Sequence, residues 1–117
     1  MIVGIGVDVC SIQRFSDAAA RPGFLERVLH PDERAGSVAS QAGRWAVKEA
    51  FAKALGAPSG MAWLDCHVVR TESGRPVVEA SGTVAARMAE LGVATVHVSI
   101  SHDAGVAVAV VVCEGAP

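Results

Sequence analysis

Between Gly43 and Gly56 the chain reads Gly-Arg-Trp-Ala-Val-Lys-Glu-Ala-Phe-Ala-Lys-Ala-Leu-Gly. The run is rich in helix formers, contains no proline, and ends at Gly56 followed by Pro58, so the spacing predicts a helix here. At about 100° per residue, Val47, Ala50, Phe51 and Ala54 share an apolar arc, and Trp45, Glu49 and Lys53 share a different one. Glu49 and Lys53 stack one turn apart. Arg44 and Lys48 form a second stacked pair of like charge, which costs a few tenths of a kcal/mol unless an anion sits between them. One carboxylate among three cations is the composition of a site for a metal ion and phosphates. Taken alone, Glu49 and Lys53 read more simply as an i,i+4 ion pair on a solvated basic face. Phosphate chemistry needs a second carboxylate and further anion-binding groups from elsewhere in the chain.

Asp8 is the first of these. Residues 2 to 9 alternate Val3, Ile5, Val7 and Val9 with Ile2, Gly4, Gly6 and Asp8, a strand with one aliphatic face. Two glycines on the opposite face imply that something packs closely there. Asp8, at the end of that face, is either a metal ligand or an exposed terminal aspartate. The Gly-x-Gly lies inside the strand and lacks a following glycine and helix start, so it is no dinucleotide fingerprint.

The remaining elements have to position these groups. Ser11 caps a short helix with Ile12, Phe15 and Ala19 inward, and Pro22 and Gly23 break it. Phe24 to Leu29 give a short amphipathic turn, and Pro31, Asp32 and Glu33 read as a helix first turn. Arg14, Arg21 and Arg27 on these elements are either ordinary surface arginines or a basic patch for an acidic partner. Residues 63 to 70 read as a strand, paired through the Ser73-Gly74-Arg75-Pro76 turn with Val77 and Val78. Thr83 is expected to cap a helix carrying Val84, Met88 and Leu91, which stops at Gly92. Val96, Val98 and Ile100 then alternate with His97, Ser99 and Ser101, and His102-Asp103-Ala104-Gly105 turns into Val106 to Val112.

His97 is expected to be a satisfied histidine among valines, whereas His102 at the turn is free to reach a ligand. Ser101, His102 and Asp103 cannot form a hydrolase relay, because neighbours on a strand point opposite ways. Both faces of the last strand are apolar and want cover. The central helix can cover one, and a homo-oligomer is the simplest way to cover the other.

With 117 residues, 51% hydrophobic and 19% charged, the chain is expected to be a single domain over 1-117, packed mainly by aliphatic side chains since tyrosine is absent. A net charge of -2 offers no general attraction to nucleic acid. Cys10, Cys66 and Cys113 lie in apolar stretches without metal-ligand spacing and suit a reducing compartment. With no signal-like leader and no membrane-spanning run, the expected location is cytoplasmic.

The motifs Gly4-Ile5-Gly6-Val7-Asp8 with Arg14, Arg44-Trp45-Ala46-Val47-Lys48-Glu49-Ala50 with Lys53-Ala54-Leu55-Gly56, Gly74-Arg75-Pro76, and Val98-Ser99-Ile100-Ser101-His102 follow one another along nearly the whole chain. This ordered set resembles the small phosphopantetheinyl transferases of the holo-acyl-carrier-protein synthase type. The resemblance implies an α+β fold in which a small antiparallel sheet is wrapped by a long central helix and shorter helices, assembling as a homotrimer with active sites between subunits. It implies transfer of the 4'-phosphopantetheine arm of coenzyme A to a serine of an apo acyl carrier protein, releasing adenosine 3',5'-bisphosphate. It assigns Asp8 and Glu49 to Mg2+, for which Mn2+ could substitute. Arg44, Lys53 and His102 go to the phosphates, Gly74, Arg75 and Pro76 to the nucleotide, and Arg14 to the carrier's acidic helix, with Arg21 and Arg27 as candidates for the same patch. Two departures from the family pattern are Ser11, where an acidic residue is common, and a short stretch at 34 to 42. Other functions open to the same residues are a non-catalytic oligomeric nucleotide-binding module and a metal-dependent hydrolase of coenzyme A.

Overall fold

The computed structural model describes residues 1-117. The alternating N-terminal run forms β1 (Ile2–Ser11), whose partner is the last strand, β5 (Val106–Gly115); β5 pairs in turn with β4 (Val93–Asp103). All pairings are antiparallel and the order is β1-β5-β4. Asp8 lies opposite Ala109, Gly6 opposite Val111 and Gly4 opposite Cys113, while Val96, Val98 and Ile100 flank the same β5 residues from the other side. One face of the sheet therefore carries glycines, alanines and valines.

On that face lies the long helix α3 (Val38–Ala54). It starts at Ser37, whose hydroxyl accepts the Ser40 N–H, so it extends more than a turn upstream of Gly43. The close approach expected at Gly4 and Gly6 is to this helix: a Cβ on Gly4 would overlap the Ala54 carbonyl oxygen, and one on Gly6 that of Ala50. The predicted arc of Val47, Ala50, Phe51 and Ala54 is buried, Val47, Ala50 and Phe51 completely.

Helix α3 separates two parts of the core. On one side it packs with Ala109, Val111 and Cys113 of the sheet and with Cys66, Val68 and Val84. These last belong to the hairpin of β2 (Cys66–Arg70) and β3 (Pro76–Ala80) and to α4 (Gly82–Leu91). On the other side Phe15 of α1 (Ile12–Ala19) and Val28 of α2 (Phe24–Val28) meet Leu29, Ala42 and Ala107. As expected, Ser11 caps α1, accepting the Arg14 N–H, and Gly92, at φ 72°, ends α4.

Three local expectations are corrected. Residues 63 to 65 form a 3-10 turn, and the strand begins at Cys66. The Pro31-Asp32-Glu33 turn does not grow into an α-helix but stays 3-10, ending at Arg34. Thr83 does not cap α4; Ser81 occupies that position, and the Thr83 hydroxyl bonds Asp65 and the Ala62 N–H. At α4 the change comes from far along the sequence, since Asp65 takes both the Thr83 N–H and its hydroxyl.

The opposite face of the sheet is open. It presents Ile5, Val7 and Val9, which are 65%, 51% and 64% exposed, beside Val108, Val110 and Val112. No helix is long and apolar enough to cross a membrane.

Candidate active site

Asp8 and Glu49 meet because two periodicities coincide. Gly4, Gly6 and Asp8 lie two residues apart on the strand face that touches α3, and the two missing side chains let the backbones come close enough for Asp8 to reach the helix. Asp8 Oδ1 accepts from Lys53 Nζ at 3.3 Å, and the same ammonium donates to the Val7 carbonyl at 2.9 Å. Asp8 Oδ2 is buried and has no hydrogen-bond partner. Burial, followed by the neighbouring Asp8 carboxylate, pushes the Glu49 carboxyl up to about 7, with Lys53 pulling the other way. Two carboxyl groups therefore face each other, with an ammonium alongside.

Such a pair suits a hard divalent cation. An orphaned buried carboxylate oxygen is costly, and a cation between the two groups would satisfy it and remove the repulsion that raises Glu49. No third His, Cys, Asp or Glu joins the pair. Mg2+ commonly takes only one or two carboxylates and completes its octahedron with waters and phosphate oxygens, so the donor set fits that ion with a phosphate-bearing substrate. Cys10 stands beside the pair; burial first, then the Asp8 and Glu49 charges, push its thiol up to about 11, so it is no nucleophile at neutral pH.

Concave surface extends from the cluster on both sides. A groove of about 260 Å³ leads from Glu49 past Trp45, Phe24, Phe15 and Cys10 to Arg14. A second, of about 290 Å³, runs from Lys53 along Gly4 and Gly56 to Arg87. The largest concavity, about 450 Å³ between residues 58 to 61 and α4, contains none of the expected site residues.

The other expected groups go elsewhere. Arg44 Nη1 donates to the carbonyls of Glu33 at 2.6 Å and Ala35 at 2.8 Å, and its remaining donors bond nothing in the chain. Lys48 is not on the basic face at all: it is fully buried, in an ion pair of 2.8 Å with Glu33. The grouping of three cations around Glu49 is thus corrected: Lys53 alone acts on its charge, and it pairs with Asp8 rather than in the i,i+4 pair with Glu49, while the helix turns Lys48 inward. Glu33 was missed as a partner; its only signal was a carboxylate after Pro31, which also suits a solvated first turn. His102 rests on the N-terminal half of α3, its Nε2 donating to the Ala39 carbonyl at 3.0 Å, close against Gly43. Arg75 and Pro76 line a hollow of about 350 Å³ against Val96, His97 and Val98 of β4, with Gly74 in the turn before them. Both His102 and the Gly-Arg-Pro turn therefore belong to the β4 edge, across β5 from Asp8. Arg14, Arg21 and Arg27 are exposed and lack ion pairs, with Arg14 on the rim of the Glu49 groove. His97 is satisfied as expected, by Glu114 at 2.5 Å, but on the open face of the sheet.

A small α+β fold sets two carboxylates and an ammonium where an edge strand crosses a long helix, the donor set of an enzyme that handles phosphates. Comparison with known proteins makes this specific. The family model of the 4'-phosphopantetheinyl transferase superfamily matches residues 4–111. The chain is 55% identical to the holo-[acyl-carrier-protein] synthase of Streptomyces avermitilis, over 97% of this chain and 98% of that one. It is 54% identical to the Streptomyces griseus enzyme of the same name, over 98% and 100%. The solved Helicobacter pylori holo-[acyl-carrier-protein] synthase in complex with coenzyme A superposes with a TM-score of 0.84 at 36% identity, covering 94% of this chain and 99% of that one. The chain belongs to the 4'-phosphopantetheinyl transferase superfamily, within its holo-[acyl-carrier-protein] synthase family.

Proposed function

We propose that this enzyme moves the 4'-phosphopantetheine arm of coenzyme A onto a serine of an apo acyl carrier protein, with Mg2+ and with release of adenosine 3',5'-bisphosphate. The observation that carries the reading is the unpartnered Asp8 Oδ2 facing Glu49 with Lys53 at its side. A divalent ion held by Asp8 and Glu49 would supply Lewis-acid stabilisation of the diphosphate charge. The serine oxygen bonds to the phosphorus that carries the arm, while the bond from that phosphorus to the bridging diphosphate oxygen breaks and its electron pair leaves with the nucleotide. Lys53, still 55% exposed, can turn its ammonium toward the oxygens that gain charge. The serine proton passes to the Glu49 carboxylate through a water bonded to it, and no nucleophile from this chain is required.

Under the same proposal Arg44, Arg75, Pro76, Gly74 and His102 bind the nucleotide end, and Arg14, with Arg21 and Arg27, meets the acidic carrier. The β4 edge carries His102 and Arg75 while the β1 edge carries Asp8, which supports sites completed between copies of the chain, in a homotrimer joined through the open sheet face. Three free cysteines suit the cytoplasm.

Incubation with coenzyme A, Mg2+ and a panel of apo carriers, read by intact mass, tests the proposal. A carrier should gain roughly 340 Da, the mass of the arm. Consumption of coenzyme A without a carrier product would indicate hydrolysis, and binding without consumption a silent nucleotide-binding module; either result removes the transferase.

A further inference from the structure

Lys48 is the one charged residue of the helix motif that the proposed chemistry leaves without a task. Its ammonium has three N–H groups, and all are used: on the Val28 carbonyl at 2.7 Å, Glu33 Oε1 at 2.8 Å and the Trp63 carbonyl at 3.3 Å. Fully buried, it has no donor left for a phosphate. Glu33 is equally committed. Its Oε1 also accepts the His30 N–H at 2.6 Å, and its Oε2 accepts the Val68 N–H at 2.8 Å. The pair therefore ties α3 to α2, to both 3-10 turns and to β2.

Two of the three acceptors have a further meaning. Val28 ends the helix that carries Phe24, and Trp63 opens the second 3-10 turn. The Trp45 ring packs edge-on between Phe24 and Trp63, with centroids 5.9 Å and 4.8 Å away. Trp45 and Glu49 lie one turn apart on α3, and both line the groove that ends at Arg14. Lys48 thus holds the backbone of one aromatic neighbour of Trp45, Trp63, and the end of the helix that carries the other, Phe24.

We propose that Lys48, with Glu33, is a positioning residue for the wall of this groove, and that it governs acceptance of the carrier protein rather than binding of coenzyme A. This rests on the transferase function proposed above, in which Arg14 meets the carrier and Glu49 takes the serine proton, so that the groove joining them is the path for that serine. Misplacing a wall by about 1 Å can cost as much as 100-fold in rate, so a buried lysine can matter here without touching a reacting atom.

Removing one charge alone would strand the other in the core, so the test uses the double variant Lys48→Met/Glu33→Gln, whose amide oxygen can still accept the Val68 N–H, alongside Lys48→Met. Kinetics with carrier, coenzyme A binding by calorimetry, and tryptophan emission are measured on folded protein. Trp45 and Trp63 are the only tryptophans, so emission reports on the wall itself. The expected result is a rise in carrier KM on the order of tenfold or more, a changed emission maximum, and coenzyme A affinity within a factor of about two. Weakened coenzyme A binding with unchanged carrier KM would overturn the inference in favour of a phosphate role. A lowered melting temperature with unchanged emission and unchanged kinetics would overturn it in favour of stability alone, as would failure of both variants to fold. A wild-type protein that modifies no carrier overturns the transferase function and this inference together, whereas an active wild type with either contrary variant result overturns the inference only.

Discussion

The Glu49 carboxyl is half out of water, against Asp8, and its folded-state value of about 7 lies above the 4.5 of an ordinary glutamate. The folded chain therefore holds a proton that the unfolded chain gives up over this interval. Glu49 should make metal-free protein most stable below about pH 4.5 relative to higher pH, with that contribution lost as pH rises through about 7. Melting curves in a chelator from pH 5 to 8 should fall more steeply for wild type than for Glu49→Gln, and added Mg2+ should flatten the wild-type curve. For turnover, Glu49→Gln is expected to lose about 100- to 10,000-fold in kcat, the range for removing an acid–base group, while coenzyme A still binds in calorimetry. Near-normal turnover would end the role given to Glu49. The thiols provide a third check. Burial pushes Cys66 up to about 12 and raises Cys113 as well, so alkylation by iodoacetamide at pH 7.5 should be slow until the protein is unfolded.

At the scale of elements, the site depends on how closely one strand lies against one helix. Gly6 is the position where this is tightest, since a Cβ there would overlap the Ala50 carbonyl. Gly6→Ala should cost about 1–3 kcal/mol as an overpacking change, readable as a lower urea midpoint, and should weaken Mg2+ binding because β1 must move away from α3. The apolar arc of α3 and the glycine face of β1 were legible because each obeys its own period over several residues. The direction of Lys48 was not. Charge placed it with Arg44 on a basic face, but at that point the helix surface is covered by Val28, Glu33 and Trp63, and nothing local announces their arrival. The Thr83 cap failed for a similar reason, since Asp65 claims its hydroxyl from another element.

For the whole molecule, the open face of the sheet is the largest feature a single chain leaves unexplained. Ile5, Val7 and Val9 beside Val108, Val110 and Val112 form an apolar band across two paired strands, the kind of patch that marks an interface. Ile5→Glu or Val110→Glu should shift the species seen by light scattering from oligomer to monomer and abolish turnover at the same concentration. A second prediction concerns sharing of the site. Glu49→Gln mixed and refolded with His102→Ala should regain activity that neither variant has alone, because one interface can then pair an intact β1 edge with an intact β4 edge. No recovery would mean that each chain completes its own site.

Composition and periodicity by themselves determined an aliphatic strand with a glycine face, a long helix with an apolar arc and a terminal hairpin strand apolar on both sides; these depend on patterns that repeat within a few residues. The ordered motifs supplied the family and the identities of Asp8, Glu49 and Lys53. Only the folded chain decided that Asp8 is buried with one oxygen unpartnered, that Lys48 turns inward to Glu33, and that His102 and Arg75 stand on the far edge of the sheet from Asp8. Burial, pairing and separation of this kind are set by residues tens of positions apart, and no local spacing encodes which of two plausible partners a charge will meet.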